Sequence, residues 1–389
     1  SGSRIQEKMQ THVYALLVGI NEYPPYINPL QGCVNDVNRM QTFMRERLRT
    51  NGNESTQFHP LVLVNQQATR QAIIEAFYQH LGKASAGDVA LFYFSGHGSQ
   101  ASSPPEFWHL EPDRLDETLV CWDSRLPGPE HWDLADKELA QLVADVADTG
   151  AHVVVILDCC HSGSGTRSPA ESDMRVRRAP TDSRIRPLDT FLVSPQQATS
   201  FTTAGRSVGG SGGWYRLPRG RHIVFSACSP EEEAKELSLG GERRGIFSYY
   251  LLDTLQKATG SLSYRDIFKR VNALVRAGVS LQSPQMEATE AGDLEQPFLG
   301  GAIPRTRPYF TASHDRLFGW VIDGGAVHGL PAPTADATTF LALFPFDADV
   351  STLDSLTDSI GEANITDVLP GQSAVAMTLH EQQLDPQTT

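Results

Sequence analysis

The feature that most limits what this chain can fold into is the run Val153-Val154-Val155-Ile156-Leu157, which ends abruptly in Asp158-Cys159-Cys160-His161-Ser162-Gly163. A short all-apolar, β-branched run bounded by polar residues predicts a parallel strand buried on both faces. The same grammar recurs at Asp88-Val89-Ala90-Leu91-Phe92-Tyr93-Phe94-Ser95, which delivers Gly96-His97-Gly98. In open α/β sheets, catalytic groups gather at the carboxyl edge, where loops leave a rigid platform. One strand presents a thiol there and the other an imidazole.

The rest of the first 300 residues alternates strand and helix, as a doubly wound sheet requires. Val13 to Ile20 reads as a strand, and Val34, Val37, Met40, Met44 and Leu48 recur at helical spacing, placing Cys33 and Asp36 in the helix's opening turn. A strand at Pro60 to Val64, a helix at Thr69 to Leu81 and a helix at Asp136 to Val146 continue the pattern. Further strands are expected at His222 to Ala227 and Gln285 to Ala288, with helices at Ile246 to Gln256 and Tyr264 to Val275. The proline-rich segment Ser99 to Asp133 is expected to wall a cleft. Ser164 to Gly220, rich in Ser, Gly, Pro and Arg, reads as a flexible linker between a large and a small part of one domain spanning residues 1–304. Beyond it, short alternating runs with Gly and Pro turns predict an antiparallel β domain over residues 305–389.

Composition narrows the chemistry. A formal charge of -14 argues against a nucleic-acid footprint and suits basic peptides as partners. No apolar run reaches the roughly 20 residues of a membrane span. Five cysteines are too few and too irregular for a disulfide framework, so the expected home is a reducing cytoplasm. A neutral thiol is a poor nucleophile near neutral pH, and a histidine within reach both activates it and later protonates a leaving amine. Zinc binding by Cys159, Cys160 and His161 fits poorly, because adjacent side chains on extended backbone point to opposite faces.

Ser95-Gly96-His97-Gly98 together with Asp158-Cys159-Cys160-His161-Ser162-Gly163 resembles the paired signature of metacaspases and prokaryotic caspase-like proteases. The resemblance covers roughly Val13 to Phe298. It implies a caspase-like, mostly parallel six-stranded sheet flanked by helices, with Cys160 as nucleophile, His97 as general base and acid, and the N–H groups of Cys160 and Gly98 holding the oxyanion. It also implies an acidic pocket, formed at Cys33, Asp36, Ser95 and Asp158, that takes arginine better than lysine, because only a guanidinium can be gripped bidentately. Acids survive at Asp116, Glu117 and Asp136 where many relatives bind calcium. Lys137 and Arg167 replace others, so no cofactor is expected to be required and calcium is doubted.

The expected function is a regulated cysteine endopeptidase acting on proteins or peptides with exposed Arg or Lys, an effector in stress, cell death or anti-phage defence. The alternative is a catalytically silent caspase-fold signalling or scaffold protein. Self-processing is expected in the linker at Arg175, Arg177, Arg178 or Arg184. The C-terminal domain is assigned a sensing role for a small signalling molecule or regulatory protein, with Trp320, Gly324, Gly325 and His328 lining the site, against the plainer reading of a structural cap.

Overall fold

The computed structural model describes residues 10–49, 56–128, 130–161, 174–202, 220–258, 262–302 and 309–380, the last stretch without 336, 347, 349–352 and 354–355. The chain divides into two units. The first comprises residues 1–252 and 263–304, the second residues 253–262 and 305–389.

The first unit is built on a six-stranded sheet in the order β12-β9-β7-β3-β1-β2. Its strands are β1 (Thr11–Gly19), β2 (Thr56–Val64), β3 (Val89–Ser95), β7 (His152–Asp158), β9 (His222–Ser226) and β12 (Gln285–Ala288). All pair in parallel except β12, which runs antiparallel to β9. Every residue of β3 is buried. Alternate side chains of the central strands serve opposite layers. Phe92 and Phe94 join Val153, Val155 and Leu157 in a core with Ile73 and Phe77 of α2 (Arg70–Gln79) and Leu139, Leu142 and Val143 of α3 (Asp136–Ala147). Tyr93 points the other way and bonds Ser248 of α5 (Ile246–Gln256). That second layer also carries α1 (Cys33–Arg49) and α6 (Tyr264–Gly278).

The proline-rich wall is a small antiparallel sheet of β4 (Gly98–Ser102), β5 (Leu115–Leu119) and β6 (Leu134–Ala135). The acidic stretch after β9 folds as a hairpin of β10 (Lys235–Leu239) and β11 (Glu242–Gly245), to which β8 (Arg175–Val176) adds antiparallel. The stretch expected as a flexible linker is therefore folded over residues 174–202, which also contain α4 (Pro195–Thr202). Its composition conceals a local core in which Val193 and Ala198 pack with Phe107, Leu110 and Ala140. The parts at 162–173 and 203–219, with Arg167, Arg206, Arg216 and Arg219, lie outside the described residues.

The second unit carries a five-stranded antiparallel sheet in the order β13-β14-β17-β16-β15, formed by β13 (Ala312–Asp315), β14 (Gly319–Ile322), β15 (Phe340–Leu343), β16 (Gly361–Val368) and β17 (Ser373–Leu379). Its core is Ile322, Leu330, Ala363, Ile365 and Val375. Trp320 packs partly buried against that core and meets the His314 ring edge-on at 5.3 Å. A side chain at Gly324 would strike Phe310, and one at Gly325 the Leu369 carbonyl. His328 is buried, accepts a hydrogen bond at Nδ1 from Gly325 N (3.0 Å) and faces Asp253 through Nε2 (3.3 Å). The four residues expected to line a sensor site thus have visible packing and turn-forming partners.

Candidate active site

Strand register assembles the site. β3 and β7 pair in parallel with Ser95 opposite Asp158, so the two chains leave the sheet edge side by side, and His97 and Cys160 each follow two residues later. Close approach is obligatory at this point. A Cβ at Gly98 would fall on the Cys160 carbonyl oxygen, so only glycine lets β4 start there.

The His97 ring is held by the loop between β1 and α1. Its Nε2 lies 2.7 Å from the Asn28 carbonyl, which can only accept, so the proton resides on Nε2 and Nδ1 carries a free lone pair. Nδ1 is buried and makes no hydrogen bond among the described residues, with the Arg177 main chain near enough to affect the ring's proton affinity. The His97 N–H donates to the Tyr23 hydroxyl (2.8 Å), and the two rings pack at 4.9 Å. Burial, helped by the charge of Arg177, pushes the His97 pKa down to about 4, so the imidazole is neutral at physiological pH.

Cys160 is buried, with its Sγ 4.0 Å from the Ala234 carbonyl. The neighbouring thiol behaves differently. Cys159 lies in the apolar core beneath the sheet edge, its Sγ 3.6 Å from His161 Nε2, and burial raises its pKa well above the ordinary thiol value. His161 donates from Nδ1 to the Thr118 carbonyl (2.9 Å) and is itself pushed down to about 4 by burial.

Asp36, Ser95, Asp158 and Glu236 close around the side chain of Arg177, which has no exposed surface. Nη2 bonds Asp36 (2.7 Å) and Glu236 (3.3 Å), while Nη1 bonds the Ser95 hydroxyl (2.8 Å) and Asp158 (3.0 Å). Asp36 is steadied by Arg244 (2.6 Å), and Asp158 accepts from the Ser248 hydroxyl (2.5 Å), which in turn accepts from Tyr93 (2.5 Å). Burial raises the Asp158 pKa, with Arg177 opposing. A side chain at Gly245 would overlap both Asp158 and the guanidinium, so this glycine makes the pocket wall thin enough. Cys33 lies beside Glu236 at 4.0 Å, and burial raises its thiol pKa.

The Arg177 backbone is as fixed as its side chain. Its carbonyl oxygen accepts from Gly98 N (3.1 Å) and Cys160 N (3.3 Å), and its own N–H donates to Ala234 O (2.9 Å). Of the other candidate processing arginines, Arg175 donates to the Pro29 carbonyl (2.8 Å), Arg178 follows Arg177 beside Gly98, and Arg184 grips Asp182 (2.7 Å) while stacking on Trp132.

Sequence reasoning brought Cys33, Asp36, Ser95, His97, Gly98, Asp158 and Cys160 to this edge, and all seven are there. It missed Glu236, Arg244, Ser248, Tyr23 and the Asn28 carbonyl. Glu236 had a faint signal as one acid among several after β9, without any spacing to single it out.

Away from this cleft, Glu111, Asp116 and Asp136 bring carboxylate oxygens within 4.8 Å of one another, the one such acidic or metal-ligating group among the described residues. Lys137 Nζ stands among them at 3.2, 2.6 and 3.0 Å, respectively. The neighbouring carboxylates raise its pKa against the opposing effect of burial. Among the described residues, no helix is long and apolar enough to cross a membrane.

Residues 12–295 match the family model described as "Caspase domain". The chain belongs to the caspase-domain family. It is 26% identical over 309 residues to Metacaspase-1 of Lodderomyces elongisporus, a match covering 73% of this chain and 66% of that protein. With Metacaspase-5 of Trypanosoma cruzi it shares 26% over 313 residues, covering 74% and 59%, respectively. A crystal structure of a Geobacter sulfurreducens protein aligns with 23% identity and a TM-score of 0.49, covering 74% of this chain and 98% of that one. The caspase-domain match ends before the second unit's β-sheet begins.

Proposed function

We propose that this chain is a cysteine endopeptidase that cleaves after arginine, and less well after lysine, with Cys160 as nucleophile and His97 as general base and acid. The observation that carries this reading is the pose of Arg177, whose side chain fills an acidic pocket while its carbonyl oxygen accepts from two backbone N–H groups beside Cys160. That pair of donors is what a tetrahedral oxyanion would need.

In this reading, His97 Nδ1 takes the thiol proton and the thiolate attacks the carbonyl carbon. The oxyanion is held by Gly98 and Cys160 N–H, and the protonated imidazole returns its proton to the leaving amine. Water then hydrolyses the thioester. Arginine is favoured because its two terminal nitrogens reach carboxylates on opposite sides, Asp36 and Glu236 from one and Asp158 from the other. A lysine ammonium offers one nitrogen for the same three acids.

Arg177 is then an internal first substrate as well as a plug, and the bond first cut is Arg177–Arg178. Until Arg177 leaves, the pocket is closed to other chains, which makes the protein a zymogen. We read the Lys137 ammonium as occupying the place of a divalent ion, so activity needs no calcium. The biological setting that suits such latency is an effector protease in stress, cell death or antiviral defence, with proteins bearing exposed Arg or Lys as substrates. The C-terminal unit would serve its control; truncation after Pro304 should then give constitutive activity, and a soluble truncated enzyme with unchanged regulation would refute that role.

A panel of fluorogenic peptides varying the residue before the scissile bond, run with and without calcium and with Cys160→Ala as control, tests the whole reading. Arginine should lead, lysine follow and aspartate fail. Equal turnover by Cys160→Ala, or preference for aspartate, would overturn it.

A further inference from the structure

The segment is anchored on both sides of the Arg177–Arg178 bond, and the two anchors differ. Upstream, the described hold is the short β8 pairing with β10, the Arg175 bond to the Pro29 carbonyl, the Arg177 guanidinium and the Arg177 backbone, whose N–H donates to Ala234 O and whose carbonyl accepts from Gly98 N and Cys160 N. Downstream, the chain runs along β4. Ala179 N donates to Gly98 O (2.9 Å), Asp182 N to Gln100 O (2.8 Å), and Ser102 N to Asp182 O (2.9 Å). The Ser99 hydroxyl donates to Pro180 O (2.8 Å). Four residues later Arg184 clasps Asp182, and Arg186 makes a buried bidentate pair with Glu138 (2.9 and 2.7 Å). The Arg186 guanidinium also lies 3.8 Å over the Phe191 ring, just before Val193 and Ala198 enter their apolar cluster. None of these downstream contacts involves Arg177, so none is lost when its bond to Arg178 breaks.

Resting on the reading of Arg177 as the residue before the scissile bond, we propose that the downstream segment stays docked after cleavage. The new amino group of Arg178 then competes with water for the thioester, and Arg186 is the positioning residue that keeps it there. In the forward step the Cys160 Sγ–Arg177 C bond forms, the Arg177 C–Arg178 N bond breaks, and the thiol proton passes through His97 to the Arg178 nitrogen. In the return step that amine attacks the thioester carbon, its surplus proton passes to His97, and Cys160 leaves as the thiolate that His97 reprotonates. A tethered amine next to the thioester has a very high effective concentration, so the return step is fast relative to hydrolysis. Even a hydrolysed chain keeps its two new ends together, and the bond can be remade. The intact protein is therefore held by reversible cutting as well as by a filled pocket.

Full-length protein incubated in heavy-oxygen water tests this, read by intact mass and by the mass of the peptide containing Arg177. In the wild type, the cut fraction should level off short of completion. Chains that remain intact should acquire heavy oxygen at the Arg177 carbonyl, which requires cutting by water followed by resynthesis. Arg186→Ala leaves Glu138 with Arg70, Ala135 N and Leu192 N, so its carboxylate keeps partners. This variant should cut itself at least about tenfold faster, equivalent to about 1.4 kcal/mol, run to completion and carry no label in its intact fraction. Arg186→Lys should partly restore the wild-type pattern. Arg184→Ala, which removes a guanidinium 36% exposed from a buried Asp182, should shift in the same direction by less and decides the matter if Arg186→Ala does not fold. Complete, label-free cutting of the wild type at the Arg186→Ala rate would overturn the proposal. Absence of any cut after Arg177 in every protein with Cys160 intact would instead remove the reading beneath it.

Discussion

Replacing Arg177 with alanine probes pocket and latency together. The guanidinium is fully buried, and three carboxylates lie within 3.3 Å of its terminal nitrogens. Asp36 keeps Arg244, Asp158 keeps Ser248, and Glu236 keeps the N–H groups of Gln31 and Gly32, so the pocket does not lose every partner. Removing one member of a buried ion cluster typically costs about 3 to 5 kcal/mol, because the remaining charges stay desolvated and uncompensated. At roughly 2 to 4 °C per kcal/mol for a domain of this size, thermal unfolding should fall by about 6 to 20 °C. The sign of the pH effect follows from Asp158. Its folded pKa, already raised by burial, rises further without the guanidinium, so the carboxyl takes up a proton as pH falls and the deficit shrinks on acidification. The vacated pocket should also accept an external guanidinium. Benzamidine or agmatine at about 100 times its dissociation constant should return about 2.7 kcal/mol to the variant, measured by thermal shift, and leave the wild type unmoved. Arg177→Ala should cleave an arginine peptide without a lag. A variant as stable as the wild type that binds no guanidinium would refute the assignment of Arg177 as the compensating charge.

Cys160→Ala and His97→Ala should each abolish self-cleavage and peptide turnover, whereas Cys159→Ala should retain much of its activity, since that thiol sits in the core beside His161; an essential Cys159 and dispensable Cys160, scored by active-site titration, would reverse the assignment. Lys137→Met should destabilise the fold by about 3 to 5 kcal/mol and make it responsive to millimolar calcium in thermal unfolding, because three carboxylates lose their cation. A wild type that needs calcium for turnover would contradict the reading of Lys137. His97 and His161 are both held near 4 against an ordinary 6.5, so the folded state binds fewer protons than the unfolded one. Their stabilising contribution, present above pH 6.5, should be lost as pH falls toward 4, by up to about 3 kcal/mol each; denaturant unfolding that is flat across this window would count against the neutral His97.

Much of the fold was legible because buried parallel strands are written as uninterrupted apolar runs, and β3 and β7 carry their reactive residues immediately after them. Asp36, Ser95 and Asp158 were singled out by the metacaspase resemblance of the motifs around them, whereas periodicity placed them only at a helix start and two strand ends. What escaped was structure that composition disguises. Residues 174–202 have the Ser, Pro and Arg content of a linker, yet Arg186 buries its charge on Glu138, and Val193 and Ala198 find a small core.

The sequence by itself determined the strands and helices and which residues follow each strand end, because strand and helix periods are local properties; that His97, Cys160 and the acids at Asp36 and Asp158 act together was implied by the family resemblance of their motifs. Only the tertiary structure decided which arginine those acids surround, that Glu236 joins them, and that the Asn28 carbonyl leaves His97 Nδ1 free. Each of these depends on groups far apart in the chain, and the last on a backbone oxygen that every residue carries. Spacing along the chain holds no record of such contacts.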